Sequence, residues 1–400
     1  STIDELKKEL DDLIATSTSS VSSVKTDYEK QEEENKKEEL VIWSYYETQA
    51  QRDGLNKLIR DFNQSQNQYH VSWEYVPMTG FVKGLSSAYT ENKLPDMAIL
   101  DNPDTPSMIR LGLFEDITEE VQDWNLEQEY YASIIDTVKY EDKYYGVPFN
   151  CNNTALIYSK AMLKEAGCEP PSTWSELRET ARKLTTKEHD GFLMCGIEGE
   201  QGAFQILSWI LAAGENPVNL QENIEKSAWT ETYGFFSELL EDGSLSENCI
   251  NLTQTDVSRE FVQGKVAMIQ NGPWAFPMLD ESGIDYGIVP IPCKDAETTG
   301  NASVLGGENI AIIKGKNVKG SLAFLDFCMD GQELLDFCKT ANVLPAKISA
   351  AQEMAKQDER MEVFVRQMKD AVTRSSIPQW ERVAQKLTDK MYQLVENKIK

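Results

Sequence analysis

Residues 260–274 have the sequence EFVQGKVAMIQNGPW. The end of an amphipathic helix passes here into the apolar run 267–269, which is typical of a buried strand. A Gly-Pro turn follows this run and presents the indole of Trp274. An indole offers a wide apolar face and an N–H edge, and the apolar faces of sugar rings stack on such surfaces. We interpret Trp274 as a ligand platform, with a core tryptophan beside a turn as the alternative.

Helices and strands alternate along the chain from Leu40 onward. Short apolar runs predict strands at 41–43, 70–75, 97–100, 155–158, 267–269, 287–290 and 310–313. Helical spacing of apolar residues predicts helices at 52–63, 173–184, 228–242, 319–340 and 350–400. Such alternation predicts an α/β fold, in which ligands lie in crevices at the carboxyl ends of strands.

Composition limits the size of the fold and its partners. The chain has 400 residues, 40% of them hydrophobic, which is enough for two domains and too many for one ordinary core. Its 66 acidic and 39 basic residues give a net charge of −27. This charge argues against nucleic acid, anionic lipid and highly negative substrates as partners. No apolar run approaches the about 20 residues that span a bilayer.

Several segments match, in order, those of a known family. They are LVIWSYYE at 40–47, LPDMAIL at 94–100, GLFEDI at 112–117, YGVP at 145–148 with LIYSK at 156–160, PPSTWSEL at 170–177, FVQGKVAM at 261–268 and LGGENI at 305–310. Together they resemble the family-1 extracellular solute-binding proteins of ABC importers, the group that includes maltose-binding protein. Ser159 departs from the asparagine that is usual there.

The resemblance implies a two-lobed clamshell of the periplasmic-binding-protein type with discontinuous lobes. The first lobe would hold 40–148 and 307–345, and the second 149–306 and 346–400. The protein would capture a mono- or oligosaccharide by hinge closure and deliver it to a membrane permease. It would be a monomer without a cofactor or a bound metal. We expect it to be extracellular and lipid-anchored at a Gram-positive membrane, or periplasmic in a Gram-negative cell.

The polar loop after the third predicted strand contains candidate ligand contacts. Asp101, Asn102 and Asp104 place three short polar side chains within four residues. Carboxylates accept hydrogen bonds from neighbouring hydroxyls, and an amide both donates and accepts. The alternative is an Asx-Pro turn and helix cap, above all at Asp104.

Other candidates follow the first predicted strand and the YGVP segment at 145–148, or lie within the LGGENI segment at 305–310. Side chains that leave a strand alternate in direction, so we expect one of Tyr45 and Tyr46 to face the crevice and the other to pack beneath it. The further candidates are Glu47, Phe149, Asn150, Asn152, Gly307 and Glu308, with Phe204 and Trp380 as additional aromatic residues. Gly307 permits close approach of the backbone to a ligand, although a strand bulge is the alternative. Trp43, Trp174 and Trp209 are predicted to be core residues.

Catalytic and metal motifs are absent from the sequence. The seven cysteines form no C-x-x-C pair and only two histidines exist, so neither a zinc nor a redox site is expected. We predict mostly free thiols, with one disulfide as the alternative. No G-x-S-x-G or P-loop occurs, and the protein is predicted not to be an enzyme. Two alternatives remain: a glycoside hydrolase with paired carboxylates, and a binding protein for a non-sugar solute such as glycerol phosphate.

Residues 1–39 differ from the rest of the chain. Ile3, Leu6, Leu10 and Leu13 recur at helical spacing and predict an amphipathic helix that ends before Ser17. The segment contains 12 acidic and 6 basic residues, a composition typical of a solvated helix or a flexible tether. Such a tether would separate the binding lobes from a lipid anchor, and a disordered tail is the alternative.

Overall fold

The computed structural model describes residues 2–19, 26–30, 36–298 and 302–400. Helices and strands alternate as predicted. Up to residue 165 the elements are α1 (Thr2–Ser19), β1 (Glu38–Ser44), α2 (Gln49–Ser65), β2 (Tyr69–Tyr75), α3 (Phe81–Thr90), β3 (Met97–Asp101), α4 (Thr105–Arg110), α5 (Leu126–Glu129), α6 (Ala132–Ile135), β4 (Lys139–Tyr140), β5 (Lys143–Tyr144), β6 (Gly146–Pro148), β7 (Asn150–Cys151), β8 (Ala155–Ser159) and α7 (Lys160–Glu165).

The later elements continue the alternation. They are α8 (Trp174–Leu184), β9 (Asp190–Leu193), α9 (Glu200–Ala212), α10 (Ser227–Glu241), α11 (Gln254–Val262), β10 (Val266–Asn271), α12 (Phe276–Ser282), β11 (Tyr286–Val289), β12 (Val304–Leu305), β13 (Glu308–Ile312), α13 (Val318–Cys328), α14 (Gly331–Ala341), β14 (Leu344–Pro345), α15 (Ile348–Gln357), α16 (Glu362–Gln367), β15 (Val372–Thr373) and α17 (Trp380–Ile399).

A five-stranded sheet has the strand order β2-β1-β3-β13-β6. β1 runs parallel to β2 and β3, whereas β13 runs antiparallel to β3 and β6. All residues of β3 are buried, because helices cover the strands of a largely parallel arrangement. Parallel strands bring their carboxyl ends to one edge, so the loops that follow Ser44 and Asp101 lie at the same edge of this sheet.

A four-stranded sheet has the order β11-β8-β10-β9. Its central strand β10 follows α11 closely, as the opening stretch of sequence predicts, and all six of its residues are buried. The indole of Trp209 on α9 donates to Gln270 Oε1 at 2.8 Å. This bond satisfies two polar groups that would otherwise be buried without partners beneath the helix.

The segments that connect the two sheets pair with each other. β7 runs antiparallel to β14, and β12 runs parallel to β15. Asn152 and Gly306 exchange two backbone hydrogen bonds, at 2.9 and 3.0 Å. Gly307 has φ of +117°, and a Cβ at this position would lie 2.3 Å from the carbonyl oxygen of Asn150. Glycine therefore permits both the backbone conformation and the close approach at this crossing.

Buried hydrophobic side chains form two clusters, one around each large sheet. Side chains from the range 346–371 pack in the first cluster, and those from 377–395 pack in the second. Ala155, the first residue of β8, and Phe276, the first residue of α12, also pack in the first cluster. The hydrophobic cluster around the five-stranded sheet thus extends across the segments that connect the two sheets. The lobe boundaries that the sequence predicts stay a prediction.

Two of the predicted helices were wrong in their extent. Residues 319–340 form α13 and α14 rather than one helix, because the Asp330 carboxylate caps α14 by accepting from the N–H groups of Gln332 and Glu333. Residues 350–400 are divided among α15, α16, β15 and α17. Trp174 and Trp209 are buried as predicted, whereas Trp43 is partly exposed and donates to Glu74 at 3.1 Å.

The seven cysteines are all free thiols, five of them buried. Buried thiols act as small hydrophobic groups, which agrees with the prediction of mostly free cysteines. Among the described helices, none has both the length and the apolar character that crossing a bilayer requires.

Helix α1 includes the predicted amphipathic segment and continues to Ser19. Its apolar residues Ile3, Leu6, Leu10 and Leu13 are between 59% and 68% exposed. The rest of the predicted tether falls partly on residues 20–25 and 31–35, which lie outside the described residues. Close packing with the folded core begins at Lys37, which is buried and donates from Nζ to the Asn63 carbonyl oxygen at 2.5 Å.

Deletion of residues 1–36 is expected to leave the melting temperature within about a degree of that of the full chain, because the apolar side chains of α1 are exposed and such segments contribute little to global stability. The cut spares Lys37 and the whole of β1. Scanning calorimetry measures the melting temperature, and sedimentation measures the mass of both chains. A full-length dimer that dissociates on deletion would contradict the spacer interpretation and make α1 an assembly helix.

Candidate functional site

Two strands of the first sheet bring acidic side chains to the edge where the chain crosses to the second sheet. We call this edge, after Asp101 and before Glu308, the crossing edge. In the antiparallel pair of β3 and β13, Asp101 lies directly opposite Glu308, so their side chains share a face of the sheet. The N–H of Asn102 donates to the Gly307 carbonyl oxygen at 2.9 Å. Four residues predicted as ligand contacts from distant parts of the chain, Asp101, Asn102, Gly307 and Glu308, are therefore neighbours.

The loop after β1 adds two tyrosines to this edge, and both are buried. The Tyr46 hydroxyl accepts a hydrogen bond from Asn150 Nδ2 at 3.1 Å, and the Glu308 carboxyl lies beside both side chains. The Tyr45 ring packs edge-on against Tyr46, with 5.9 Å between ring centroids, and against Phe81 at 5.5 Å. Tyr46, Glu308 and Asn150 therefore form one cluster of polar side chains. The expectation that only one of the two tyrosines faces a ligand stays a prediction.

Arg374, which is not among the residues predicted from the sequence, reaches the same edge from the turn that follows β15. Its guanidinium lies 3.6 Å from Asp101 Oδ1 and 2.7 Å from Glu200 Oε1. The guanidinium also lies 5.0 Å from the ring centroid of Phe204. Arg374 is 4% exposed. No local pattern marks this arginine in the sequence, because its partners lie more than 170 residues away.

Aromatic side chains border the polar group. Phe204 and Trp274 lie with their ring centroids 6.5 Å apart at an angle of 50°. Trp274 is partly exposed, which excludes a fully buried core position, and its Nε1 has no hydrogen-bond partner. Trp380 donates from Nε1 to Glu200 at 3.1 Å. Aromatic surface and charged groups are therefore adjacent, as recognition of an amphipathic ring requires.

Burial changes the protonation of both central carboxyls. Burial raises the pKa of Asp101 to about 7, although the neighbouring Arg374 cation opposes this shift. Burial also raises the pKa of Glu308 to about 8, and the negative charge of Asp101 adds to the effect. Two carboxyls that face each other in a site of low polarity cannot both ionise easily. The pair therefore retains a proton near neutral pH.

Several buried polar atoms at this edge lack partners in the protein. Four of them belong to residues already described, namely Asn102 Oδ1, Asn150 Oδ1, Trp274 Nε1 and Arg374 Nε. An unsatisfied buried polar group costs about 1–3 kcal/mol, so native proteins retain few of them without a reason. Two acceptors and two donors beside an aromatic pair can complete their hydrogen bonds with a polyhydroxy ligand. Among the described residues, no group of acidic, histidine or cysteine side chains has the arrangement of a metal site.

The structure does not bring every candidate into this group. Phe149 is fully buried and packs on Phe337, with 4.5 Å between ring centroids, so it supports the crossing from within the core. Glu47 is exposed and accepts a hydrogen bond from the Tyr75 hydroxyl. Asp104 is exposed, and its side chain makes no capping hydrogen bond, contrary to the alternative interpretation as a helix cap. Asn152 is half-buried and pairs through its backbone with Gly306.

Concave surfaces elsewhere do not coincide with this group. A depression of about 1040 Å³ outside the second sheet is lined by Trp174 and Arg178 of α8, Glu231 and Phe235 of α10, and Lys294, among others. We assign the candidate site to the crossing edge on chemical grounds, because unpartnered buried polar atoms, carboxyls with raised pKa values and partly exposed aromatic surface occur together there.

The family of the chain follows from its sequence and agrees with this geometry. Residues 57–363 match the model of the bacterial extracellular solute-binding proteins. The chain belongs to this family. Its members are extracellular proteins that bind solutes.

Named relatives differ in what they bind. The multiple sugar-binding protein of Streptococcus mutans is 25% identical over 73% of this chain and 71% of its own length. The sn-glycerol-3-phosphate-binding periplasmic protein of Brucella melitensis is 24% identical over 80% of this chain and 77% of its own.

Solved structures confirm the fold class. An ABC transporter solute-binding protein from Thermotoga lettingae, solved with α-D-tagatose, superposes with a TM-score of 0.76 at 22% identity. The match covers 90% of this chain and 95% of that one. The predicted two-lobed α/β clamshell is thereby confirmed.

Proposed function

We propose that this solute-binding protein captures a mono- or oligosaccharide between two lobes and delivers it to the permease of an ABC importer. Membership of the family and the sugar-binding relative support this function. The observation that carries it is the set of unpartnered buried polar atoms of Asn102, Asn150, Trp274 and Arg374 beside the rings of Phe204 and Trp274. Sugars offer both hydroxyls for the polar atoms and apolar ring faces for stacking.

Closure of the two lobes brings these groups together. Asp101 belongs to the first sheet, whereas Arg374 precedes α17, whose side chains pack in the second core. The 3.6 Å contact between them therefore connects elements of both cores. A ligand that contacts both sides stabilises the closed arrangement by its greater affinity for that arrangement. The permease would recognise the closed form.

The other parts of the proposal concern location and assembly. We infer a monomer that works at the outer face of a Gram-positive membrane on a lipid anchor, or in the periplasm of a Gram-negative cell. The exposed helix α1 and the charged segment behind it are suited to a spacer between anchor and lobes. The excess of acidic residues favours a carbohydrate over nucleic acid as the ligand class.

A thermal-shift screen against mono- and oligosaccharides tests the function. A sugar present at 100 times its dissociation constant is expected to add roughly 2.7 kcal/mol to the free energy of unfolding. Glycerol 3-phosphate is included as a control ligand, because Arg374 is already paired with Asp101 and Glu200 and the acidic neighbours repel a phosphate. Stabilisation by glycerol 3-phosphate and by no sugar would contradict the proposal.

The same incubations distinguish binding from catalysis. Chromatography of the sugars afterwards is expected to return them unchanged. Shortened products would instead assign the paired carboxyls to glycoside hydrolysis.

Trp274→Ala is expected to weaken sugar binding by about 1–3 kcal/mol while the fold remains intact, because the change removes stacking surface that is partly exposed. Calorimetry measures affinity, and thermal denaturation reports stability. Trp73→Ala is the matched control, since Trp73 is another partly exposed indole and bonds Asn56 Oδ1 away from the site. Unchanged affinity with a large fall in melting temperature would establish Trp274 as a core residue.

A further inference from the structure

The candidate site has more acidic groups than a neutral ligand needs. Asp101 and Glu200 form ion pairs with one guanidinium, that of Arg374. Glu308 lies opposite Asp101 on the paired strand, and the more exposed Asp104 follows Asp101 by three residues. Among the described residues, no ion pair from another lysine or arginine reaches these four carboxyls. Glu381 adds a further negative charge near Asp104. The other titratable neighbours are Tyr45, Tyr46, Cys151 and Cys338, which are neutral in this setting.

The shortage of positive charge is greatest at Glu308. Arg374 divides its contacts between Asp101 and Glu200 and makes no ion pair with Glu308. Like charges directly opposite each other on a sheet destabilise it, and Asp101 and Glu308 stand in that relation. A second cation between them would remove the repulsion. In the unliganded protein the proton that the pair retains relieves this repulsion. Among the described residues no side chain supplies a cation in its place, so a cationic ligand that displaces the proton is the remaining source.

Unpartnered acceptors next to the two carboxyls also fit a cation. Asn102 Oδ1 and Asn150 Oδ1 are acceptors without a donor, on side chains that are 3% and 2% exposed. Asn102 adjoins Asp101, and Asn150 contacts Tyr46 beside Glu308. An ammonium group has three donors and no acceptor. Once the pair has released its proton, an ammonium group therefore matches two carboxylates and a buried amide oxygen better than a hydroxyl, which also needs a donor.

We propose that the ligand carries an ammonium group beside its hydroxyls, as an amino sugar or an aminocyclitol does, and that this group binds between Asp101 and Glu308. The proposal rests on the sugar-binding function proposed above and specifies its ligand class. A net charge of −27 also raises the local concentration of cationic solutes around the protein.

Matched sugars test the proposal. Isothermal calorimetry at pH 7 compares the 2-amino sugars of the gluco, galacto and manno series, and their di- to tetrasaccharides, with the 2-hydroxy parents and the N-acetyl forms. The best amino sugar is expected to bind at least tenfold more tightly than its parent and its N-acetyl form. Equal or tighter binding of the neutral sugars overturns the ammonium site and leaves the sugar function standing. Absence of binding by every sugar overturns both.

Glu308→Gln separates charge recognition from a structural role. The change keeps the hydrogen-bonding shape but removes the negative charge that Glu308 gains when an ammonium group displaces its proton, so affinity for the amino sugar is expected to fall at least tenfold more than that for the neutral parent. The control Glu91→Gln removes a charge from an exposed helix end, where Glu91 pairs with Lys93 at 3.8 Å, and no change in affinity is expected. Equal loss for both sugars in Glu308→Gln overturns the proposal. Asp101→Asn provides a second variant if Glu308→Gln melts below the assay temperature.

Discussion

Replacement of Arg374 by methionine is expected to lower the free energy of unfolding by about 3–5 kcal/mol at neutral pH, because removal of one partner from a buried ion pair leaves the other charge uncompensated. Arg374 is 4% exposed and contacts Asp101 and Glu200, so methionine fills much of the volume but supplies no charge. Sugar affinity is expected to fall as well, since the guanidinium packs over Phe204 in the candidate site.

The size of this loss depends on pH with a defined sign. Asp101 and Glu308 have raised pKa values of about 7 and about 8 in the folded protein, above their ordinary values of 3.8 and 4.5. The folded state therefore binds more protons than the unfolded state between about pH 4 and pH 8, and stability falls as pH rises through this window. Arg374 lowers both pKa values. Without it the decline is steeper and continues to higher pH, so the deficit of the variant is larger at pH 8 than at pH 5.

Urea denaturation at pH 5, 7 and 8 measures the effect. Arg366→Met is the matched control, because Arg366 is exposed and pairs with Glu362 at 3.8 Å, and such surface pairs contribute about 0–1 kcal/mol. A loss in Arg374→Met that is the same at all three pH values would contradict the coupling of Arg374 to the two carboxyls.

Gly307→Ala is expected to destabilise the protein by roughly 2–6 kcal/mol, the sum of backbone strain and steric overlap. The φ of +117° disfavours any residue with a side chain. The added Cβ would also lie 2.3 Å from the Asn150 carbonyl oxygen and 2.5 Å from the Cys151 Cα. Both atoms belong to the backbone of β7, so neither can move without displacing β7 from β14.

Gly243→Ala separates the two causes. Gly243 has φ of +73°, and a Cβ there would meet no atom within 4 Å. In this control the free energy of unfolding is expected to fall only by the cost of backbone strain, about 1–2 kcal/mol. Thermal and urea denaturation of both variants supply the comparison. Equal losses in the two variants would show that the backbone at Gly307 can move away from β7 without a cost in free energy of unfolding.

Local patterns were sufficient for much of the α/β architecture. Strands β3, β8 and β10 lie within two residues of the predicted runs, because buried strands require apolar residues at consecutive positions and tolerate few substitutes. The loop at 101–104 was predicted from its position after a strand, and Asp101 and Asn102 do lie at the crossing edge. The split of 319–340 was not foreseen, because one capping aspartate inside a periodic run changes the helix boundary without changing the hydrophobic pattern.

The sequence by itself determined the alternating elements, the two-lobed fold class through its family segments, and the loops at which polar side chains would collect. Only the tertiary structure decided how those loops meet. Asp101 faces Glu308 because β3 and β13 pair across more than 200 residues of chain, and Arg374 joins them from a turn without a local signal. Side-chain type and spacing specify short-range structure, whereas the charge balance and protonation of a buried site depend on which distant groups share it.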